Sequence, residues 1–166
     1  MVTLQPITLK NIFAVQRMKA DPSLVAPNNF SLAEAFAYRS EHKQDPIAYA
    51  IYYNDTPVGF IMAVYNPPES FLDCVDNNGQ PFYYLWRNMI DENHQKKGYG
   101  RAALELLIAE AKAGKHGVAN AFYTSTARQS KVTPKFYGSL GFVYTGEVDK
   151  DYADESNDED IMRLAL

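Results

Sequence analysis

Gln95-Lys96-Lys97-Gly98-Tyr99-Gly100-Arg101 is the run whose residue types and spacing most directly imply chemistry, because small and basic residues stand where an apolar extended segment gives way to a helix. Upstream, Phe82-Tyr83-Tyr84-Leu85-Trp86 and then Asn88-Met89-Ile90 are strand-like, followed by polar Asp91-Glu92-Asn93-His94. Downstream, Ala103, Leu104, Leu107, Ile108 and Ala111 recur at the spacing of one buried helix face. Backbone N–H groups at such a helix start, together with the positive end of its dipole, favour a phosphoryl group. Gly98 and Gly100 allow close backbone approach, and Lys96, Lys97 and Arg101 add positive charge. Two familiar phosphate loops do not fit. A Walker loop needs Gly, four residues and then Gly-Lys-Ser/Thr, which is not found here. Gly98 to Ala103 satisfies G-x-G-x-x-A, but the region about twenty residues on, Gly117-Val118-Ala119-Asn120-Ala121-Phe122-Tyr123, lacks the carboxylate that would hold a ribose.

Gln95, Gly98 and Gly100 do fill the pattern Gln/Arg-x-x-Gly-x-Gly/Ala. Further on, Thr133-Pro134-Lys135-Phe136-Tyr137-Gly138-Ser139-Leu140-Gly141-Phe142 reads as a short helix with Thr133 as N-cap, Pro134 at its first position and Gly141 at its C-terminal cap. Between the two lies a strand candidate, Ala121-Phe122-Tyr123-Thr124-Ser125-Thr126. Together these segments resemble the acetyl-CoA diphosphate loop and the Phe-Tyr-x-x-x-Gly-Phe segment of the GNAT acyltransferase superfamily. The resemblance implies a cosubstrate, acetyl-CoA, held by Gln95, Lys96, Lys97, Gly98, Tyr99, Gly100 and Arg101. It implies pairing of the pantetheine arm with the main chain of Asn88, Met89 and Ile90, a hydrogen bond from Ser130, and Tyr137 as the catalytic acid. A phenol suits that task, since it can hydrogen-bond or protonate a departing thiolate. Lys96 replaces a frequent glycine of the loop, and Ser130 and Thr133 stand where relatives often have Asn and Ala. For the general base, Asp91 and Glu92 are the nearest acids, and they equally suit a solvated turn. Trp86 occupies the place where some polyamine-acetylating relatives carry an acid.

The elements that must position these groups follow from pattern and punctuation. A first strand is expected over 2–8, a helix over 9–19 and a loop marked by Pro22 and Pro27. Ser31-Leu32-Ala33-Glu34 has capping-box spacing and opens a second helix to about His42. Strands over 47–53 and 58–65 flank the turn Asn54-Asp55-Thr56-Pro57, a hairpin in form. Strands over 142–148 and 161–166 bracket an acidic stretch. The order β-α-α-β-β-β-α-β-α-β-β implies one α/β (α+β) domain over 1–166, a GNAT-like mixed and mostly antiparallel sheet of six to seven strands flanked by about four helices.

A formal charge of −4 argues against a general nucleic-acid partner and suits a cationic substrate. The longest apolar run, 58–65, is too short for a membrane span, and the start lacks the basic-then-apolar order of a secretory signal. The single Cys74 forms no intramolecular disulfide, and His42, His94 and His116 have no metal-ligand spacing. The expectation is a cytoplasmic protein without a metal, and paired subunits are frequent in similar proteins. Thr56-Pro57-Val58-Gly59-Phe60, Tyr84-Leu85-Trp86-Arg87-Asn88-Met89-Ile90-Asp91 and Ile161-Met162-Arg163-Leu164 resemble bacterial spermine/spermidine acetyltransferases. Asp149, Asp151, Asp154, Glu155, Asp158, Glu159 and Asp160 would draw a polyamine, or form a solvated loop. The implied activity is acetyl transfer to a primary amine of a small cationic substrate, a polyamine foremost. Protein or peptide N-terminal acetylation and a non-catalytic acyl-CoA-binding module are the alternatives.

Overall fold

The computed structural model describes residues 1–22 and 25–166. Along the chain run β1 (Val2–Pro6), α1 (Ile12–Arg17), α2 (Asn28–His42), β2 (Ile47–Tyr53), β3 (Thr56–Tyr65), β4 (Tyr83–Ile90), α3 (Tyr99–Lys112), β5 (Ala121–Ala127), α4 (Thr133–Gly138), β6 (Val143–Asp149) and β7 (Glu159–Ala165), with 3₁₀ turns at Glu92–His94 and Glu155–Asn157. The strands form a seven-stranded sheet in the order β1-β2-β3-β4-β5-β7-β6. The expected fold class is therefore the observed one, and so is the order of its elements.

The chain divides into two compact units, Met1–Val64 with Trp86–Glu110, and Tyr65–Leu85 with Ala111–Leu166. In the first, β1 and β2 pair antiparallel, as do β2 and β3, with a register shift between Ile51 and Tyr52. Val15, Met18, Ala50, Phe60, Met62 and Met89 form its buried cluster, and α3 buries Ala103, Leu104, Leu107 and Ile108, the face read from the sequence. In the second, β4 pairs with β5 in parallel from Tyr83↔Phe122 to Leu85↔Thr124, and β7 lies antiparallel between β5 and β6. Its interior is aromatic: Phe122 contacts both Tyr83 and Phe142, with ring centroids 5.5 Å and 6.3 Å away.

Several element ends differ from expectation for local reasons. Helix α1 begins at Ile12, not Leu9, because the Asn11 side chain accepts from Thr8 N at 2.8 Å and donates to Pro6 O at 3.0 Å, holding a turn ahead of the helix. Helix α2 starts three residues before Ser31, with Pro27 at its N-cap, so the supposed capping box lies inside the first turns. The β2–β3 turn is only Asn54-Asp55, and Asn54 takes φ 53°. Helix α4 has Val132 at its N-cap and Ser139 at its C-cap, in place of Thr133 and Gly141.

Candidate active site

The first unit contains the glycine loop. After β4, Asp91 caps the 3₁₀ turn, its Oδ1 accepting from Asn93 N at 3.1 Å and its Oδ2 from Lys19 N at 3.0 Å. Burial raises the Asp91 carboxyl, but these hydrogen bonds outweigh it and the net effect is a lowered pKa. A carboxylate so occupied is a cap and a poor proton acceptor, which removes the first of the two base candidates. The chain then turns through Lys96 at φ 60° and Gly98 at φ 80° before entering α3 at Tyr99. The left-handed conformation, not crowding, is what requires glycine at 98, since an added Cβ there would meet nothing within 4 Å. At Gly100 the reason is contact: a Cβ would lie 3.3 Å from Ile90 Cγ1 and 3.9 Å from Asn88 Oδ1.

The first i→i−4 bond of α3 runs from Ala102 N to Gly98 O at 3.1 Å, so the amides of Tyr99, Gly100 and Arg101 precede the helical ladder. The loop is secured from behind by Gln95 Nε2, which donates to Ile90 O at 3.1 Å, and by Lys97 Nζ, which donates to Asn93 O at 3.2 Å. Arg101 lies 3.7 Å from Glu105. Asn88, Met89, Ile90 and residues 95–101 are thus gathered at the end of β4 and the start of α3. Asn88 Oδ1 is buried without a hydrogen-bond partner, a free acceptor beside Gly100. These features fit a diphosphate-bearing ligand: exposed Lys96 and Lys97, amides that precede the helical ladder, and glycines at 98 and 100.

Sequence reasoning missed the arginine on β4. Arg87 donates to Glu34 Oε2 at 2.7 Å, to Ser31 Oγ at 3.1 Å and to Trp86 O at 2.8 Å. The i, i+3 spacing of Ser31 and Glu34 that read as a capping box is a two-point grip on this guanidinium. Burial raises the Glu34 carboxyl, and Arg87 opposes that shift.

The second unit contains Ser130 and Tyr137. Ser130 Oγ accepts from Thr133 N at 3.2 Å and Thr133 Oγ1 at 2.9 Å, so it steadies the start of α4. Tyr137 is 8% exposed, packed between the rings of Phe136 and Phe142 and hydrogen-bonded to Thr124. Burial pushes its hydroxyl up to about 12, the Thr124 hydrogen bond works against this, and the Glu159 carboxylate adds to it. Tyr137 is therefore a neutral phenol near pH 7.

Another group, unread in the sequence, lies next to Thr124. Tyr84 Oη is 3.0 Å from Ser125 Oγ, which in turn donates a hydrogen bond to Glu159 Oε2. Burial is the main cause that holds the Tyr84 phenol well above its ordinary range. The signal available was three consecutive hydroxyl residues, Thr124-Ser125-Thr126, in an otherwise apolar strand. Close by, a cavity of about 350 Å³ is lined by Asp149, Lys150, Asp151, Tyr152, Asn157 and Glu159. The acidic connection divides its labour. Asp158 and Asp160 lie 3.5 Å and 3.1 Å from Arg128, while Asp151 Oδ1 accepts from Ala153 N and Asp154 N. Asp149 and Glu159 face the cavity. Burial raises the Asp149 carboxyl, and Asp73, Asp158 and Asp151 raise it further.

The model of the acetyltransferase (GNAT) family matches residues 14–142, well over half of the chain. The chain belongs to the GNAT acetyltransferase family. It is an acetyl-CoA-dependent acetyltransferase, and its fold is that of solved GNAT enzymes. The ribosomal-protein-S18-alanine N-acetyltransferase from Escherichia coli is 21% identical with a TM-score of 0.64, over 100% of this chain and 94% of that one. Arabidopsis thaliana Naa50 in complex with the bisubstrate analogue CoA-Ac-MVNAL is 19% identical with a TM-score of 0.67, over 99% of each chain. A GNAT acetyltransferase from Elizabethkingia anophelis with acetyl-CoA bound is 17% identical with a TM-score of 0.62, over 99% of this chain and 98% of that one. Among curated proteins no match is found.

Proposed function

We propose that this GNAT enzyme moves the acetyl group of acetyl-CoA directly to a primary amine of a small cationic acceptor, with a polyamine such as spermidine or spermine as the leading substrate. The observation that carries the substrate class is the cavity walled by Asp149, Asp151 and Glu159, where a polycation replaces mutual repulsion by attraction. On this reading the amides and side chains of Gln95, Lys96, Lys97, Gly98, Tyr99, Gly100 and Arg101 bind the diphosphate of the cosubstrate. The main chain of Asn88, Met89 and Ile90 pairs with its pantetheine arm, and Ser130 adds a hydrogen bond. The amine nitrogen attacks the thioester carbonyl, the C–N bond forms and the C–S bond breaks. The sulfur leaves with the electron pair, stabilised by Tyr137.

A second reading, acetylation of a peptide N-terminus, draws on the two relatives in fold that are an S18-alanine acetyltransferase and a Naa50 complex with a peptide-bearing analogue. One assay separates the two. Acetyl-CoA is incubated with spermidine, spermine, an aminoglycoside and short peptides while free thiol is followed and the amine product is weighed by mass spectrometry. Turnover of polyamines above peptides supports the first reading. Peptides outperforming polyamines overturn the substrate class, and no thiol above the amine-free control with any acceptor overturns the amine chemistry. The half-buried single Cys74 also supports a reducing, cytoplasmic setting.

A further inference from the structure

An ammonium must lose a proton before its nitrogen can attack; of the acids flanking the glycine loop, Asp91 is occupied as a cap and Glu92 is exposed in the first position of the 3₁₀ turn. The second unit contains a different arrangement. A carboxylate only accepts hydrogen bonds, so the hydrogen of Ser125 Oγ is committed to Glu159 Oε2. The 3.0 Å contact between Tyr84 Oη and Ser125 Oγ must then be donated by Tyr84. The chain therefore has one direction, Tyr84 to Ser125 to Glu159, and it leaves the lone pairs of the Tyr84 oxygen to accept a proton.

Position adds to direction. Thr124 is the last β5 residue in the β4–β5 ladder, where it faces Leu85 across the strands, and its hydroxyl meets Tyr137. Ser125 is the next residue, and successive strand residues point to opposite faces. The proposed acid and the hydroxyl chain thus flank the end of one ladder from the two faces of the sheet. Glu159 also lines the carboxylate-walled cavity, so the chain ends where a cation would be held.

We propose that Tyr84, Ser125 and Glu159 form the proton relay that deprotonates the acceptor ammonium, with Tyr84 touching the amine and Glu159 acting through Ser125 as the terminal acceptor. This rests on the acetyl-transfer reading above. The ammonium proton moves to the Tyr84 oxygen as the Tyr84 proton moves to Ser125 and the Ser125 proton to the Glu159 carboxylate. The freed lone pair attacks the carbonyl carbon, the nitrogen then gives up a second proton, and the C–S bond breaks as sulfur takes the Tyr137 proton late. Of the two protons shed by nitrogen, one restores Tyr137 by way of solvent and the other is released. Charge and atoms close on amide, free thiol and one released proton. The relay shares its surroundings with Asp149 of β6, Cys74 and Asp73 of the β3–β4 connection, Tyr137 of α4, and Lys150 and Asp151 beside the cavity.

The test uses the full chain, acetyl-CoA, and whichever of spermidine or an Ala-initiated peptide the wild type acetylates faster, with kcat and KM measured from pH 6 to pH 10. General-base catalysis is worth on the order of 100-fold or more. Glu159→Gln is expected to lower kcat about 100-fold at pH 7 with little change in the Kd for coenzyme A. Its residual rate should climb about tenfold per pH unit as the free amine forms unaided. Ser125→Ala and Tyr84→Phe should show the same steepened profile, and Glu159→Asp should recover part of the rate. Should Glu159→Gln fail to fold by thermal melt, Ser125→Ala and Tyr84→Phe carry the test. A wild-type pH profile with kcat within about threefold in these variants overturns the relay and leaves acetyl transfer standing. A wild type that acetylates neither probe overturns both.

Discussion

Replacing Tyr137 by Phe separates a chemical role from a packing role. The ring stays between Phe136 and Phe142, and Thr124 keeps its own hydrogen bond to Leu85 O at 3.4 Å, so only the hydroxyl contact to Thr124 is lost. One such bond is worth about 0.5–1.5 kcal/mol, which lowers Tm by roughly 2–5 °C for a chain of this size. The catalytic loss should be much larger. With its hydroxyl pushed up to about 12, Tyr137 would give a proton to a free thiolate of ordinary pKa near 8.5 only uphill, by about 5 kcal/mol. On the proposed reading it would therefore act as a hydrogen-bond donor to sulfur as the C–S bond stretches, completing the transfer late. Such a contribution is about 100-fold, or roughly 2.7 kcal/mol. Steady-state thiol release should show kcat down by about two orders of magnitude, coenzyme A affinity by calorimetry unchanged, and no alkaline fall attributable to this phenol below about pH 11. A Tyr137→Phe enzyme with kcat within threefold of wild type and the expected small drop in Tm would refute the assignment.

Three further outcomes follow from particular contacts. Gly98→Ala places a Cβ at φ 80°, so stability should fall by about 1–2 kcal/mol in urea melts, and coenzyme A affinity should fall with it; an unchanged midpoint would show that the turn is not held left-handed. Arg87→Leu strands the Glu34 carboxylate, whose side chain is 25% exposed, and should cost about 2–3 kcal/mol, with much of the loss recovered in the Arg87→Leu/Glu34→Leu pair; strict additivity would contradict the coupling. Tyr38 and Tyr137 are both pushed up to about 12, so the folded chain keeps protons that the unfolded chain sheds above about pH 10. Stability should thus be intact below pH 10 and decline from there to pH 12, by up to about 1.4 kcal/mol per pH unit per group, and a flat urea midpoint across that range would count against these buried phenols.

The elements of the fold were legible because their signals are local. Leu104 and Leu107 mark a helical face, and the apolar run through Phe60 marks a buried strand. Helix ends were less so: the side chain of Asn11 delays α1, and Pro27 starts α2 before Ser31, contacts that periodicity does not encode. The glycine turn was readable because Gly98 answers a backbone requirement and Gly100 a steric one, each intrinsic to the residue. Arg87 with Ser31 and Glu34, and Tyr84 with Ser125 and Glu159, were illegible for the opposite reason. Their members lie 53 or 56 and 41 or 34 residues apart, brought together by the packing of α2 against β4 in the first case and by the arrangement of strands in the second. The acidic stretch looked uniform in sequence, whereas in the fold Asp158 answers Arg128 and Asp149 faces a cavity.

A crystal of this enzyme soaked with coenzyme A tests the account most directly. The expected result is a diphosphate within hydrogen-bonding distance of the main-chain amides over 96–101, beside Gly100 and the exposed Lys96 and Lys97. Electron density that places the nucleotide elsewhere, with those amides engaged by protein groups, would contradict it.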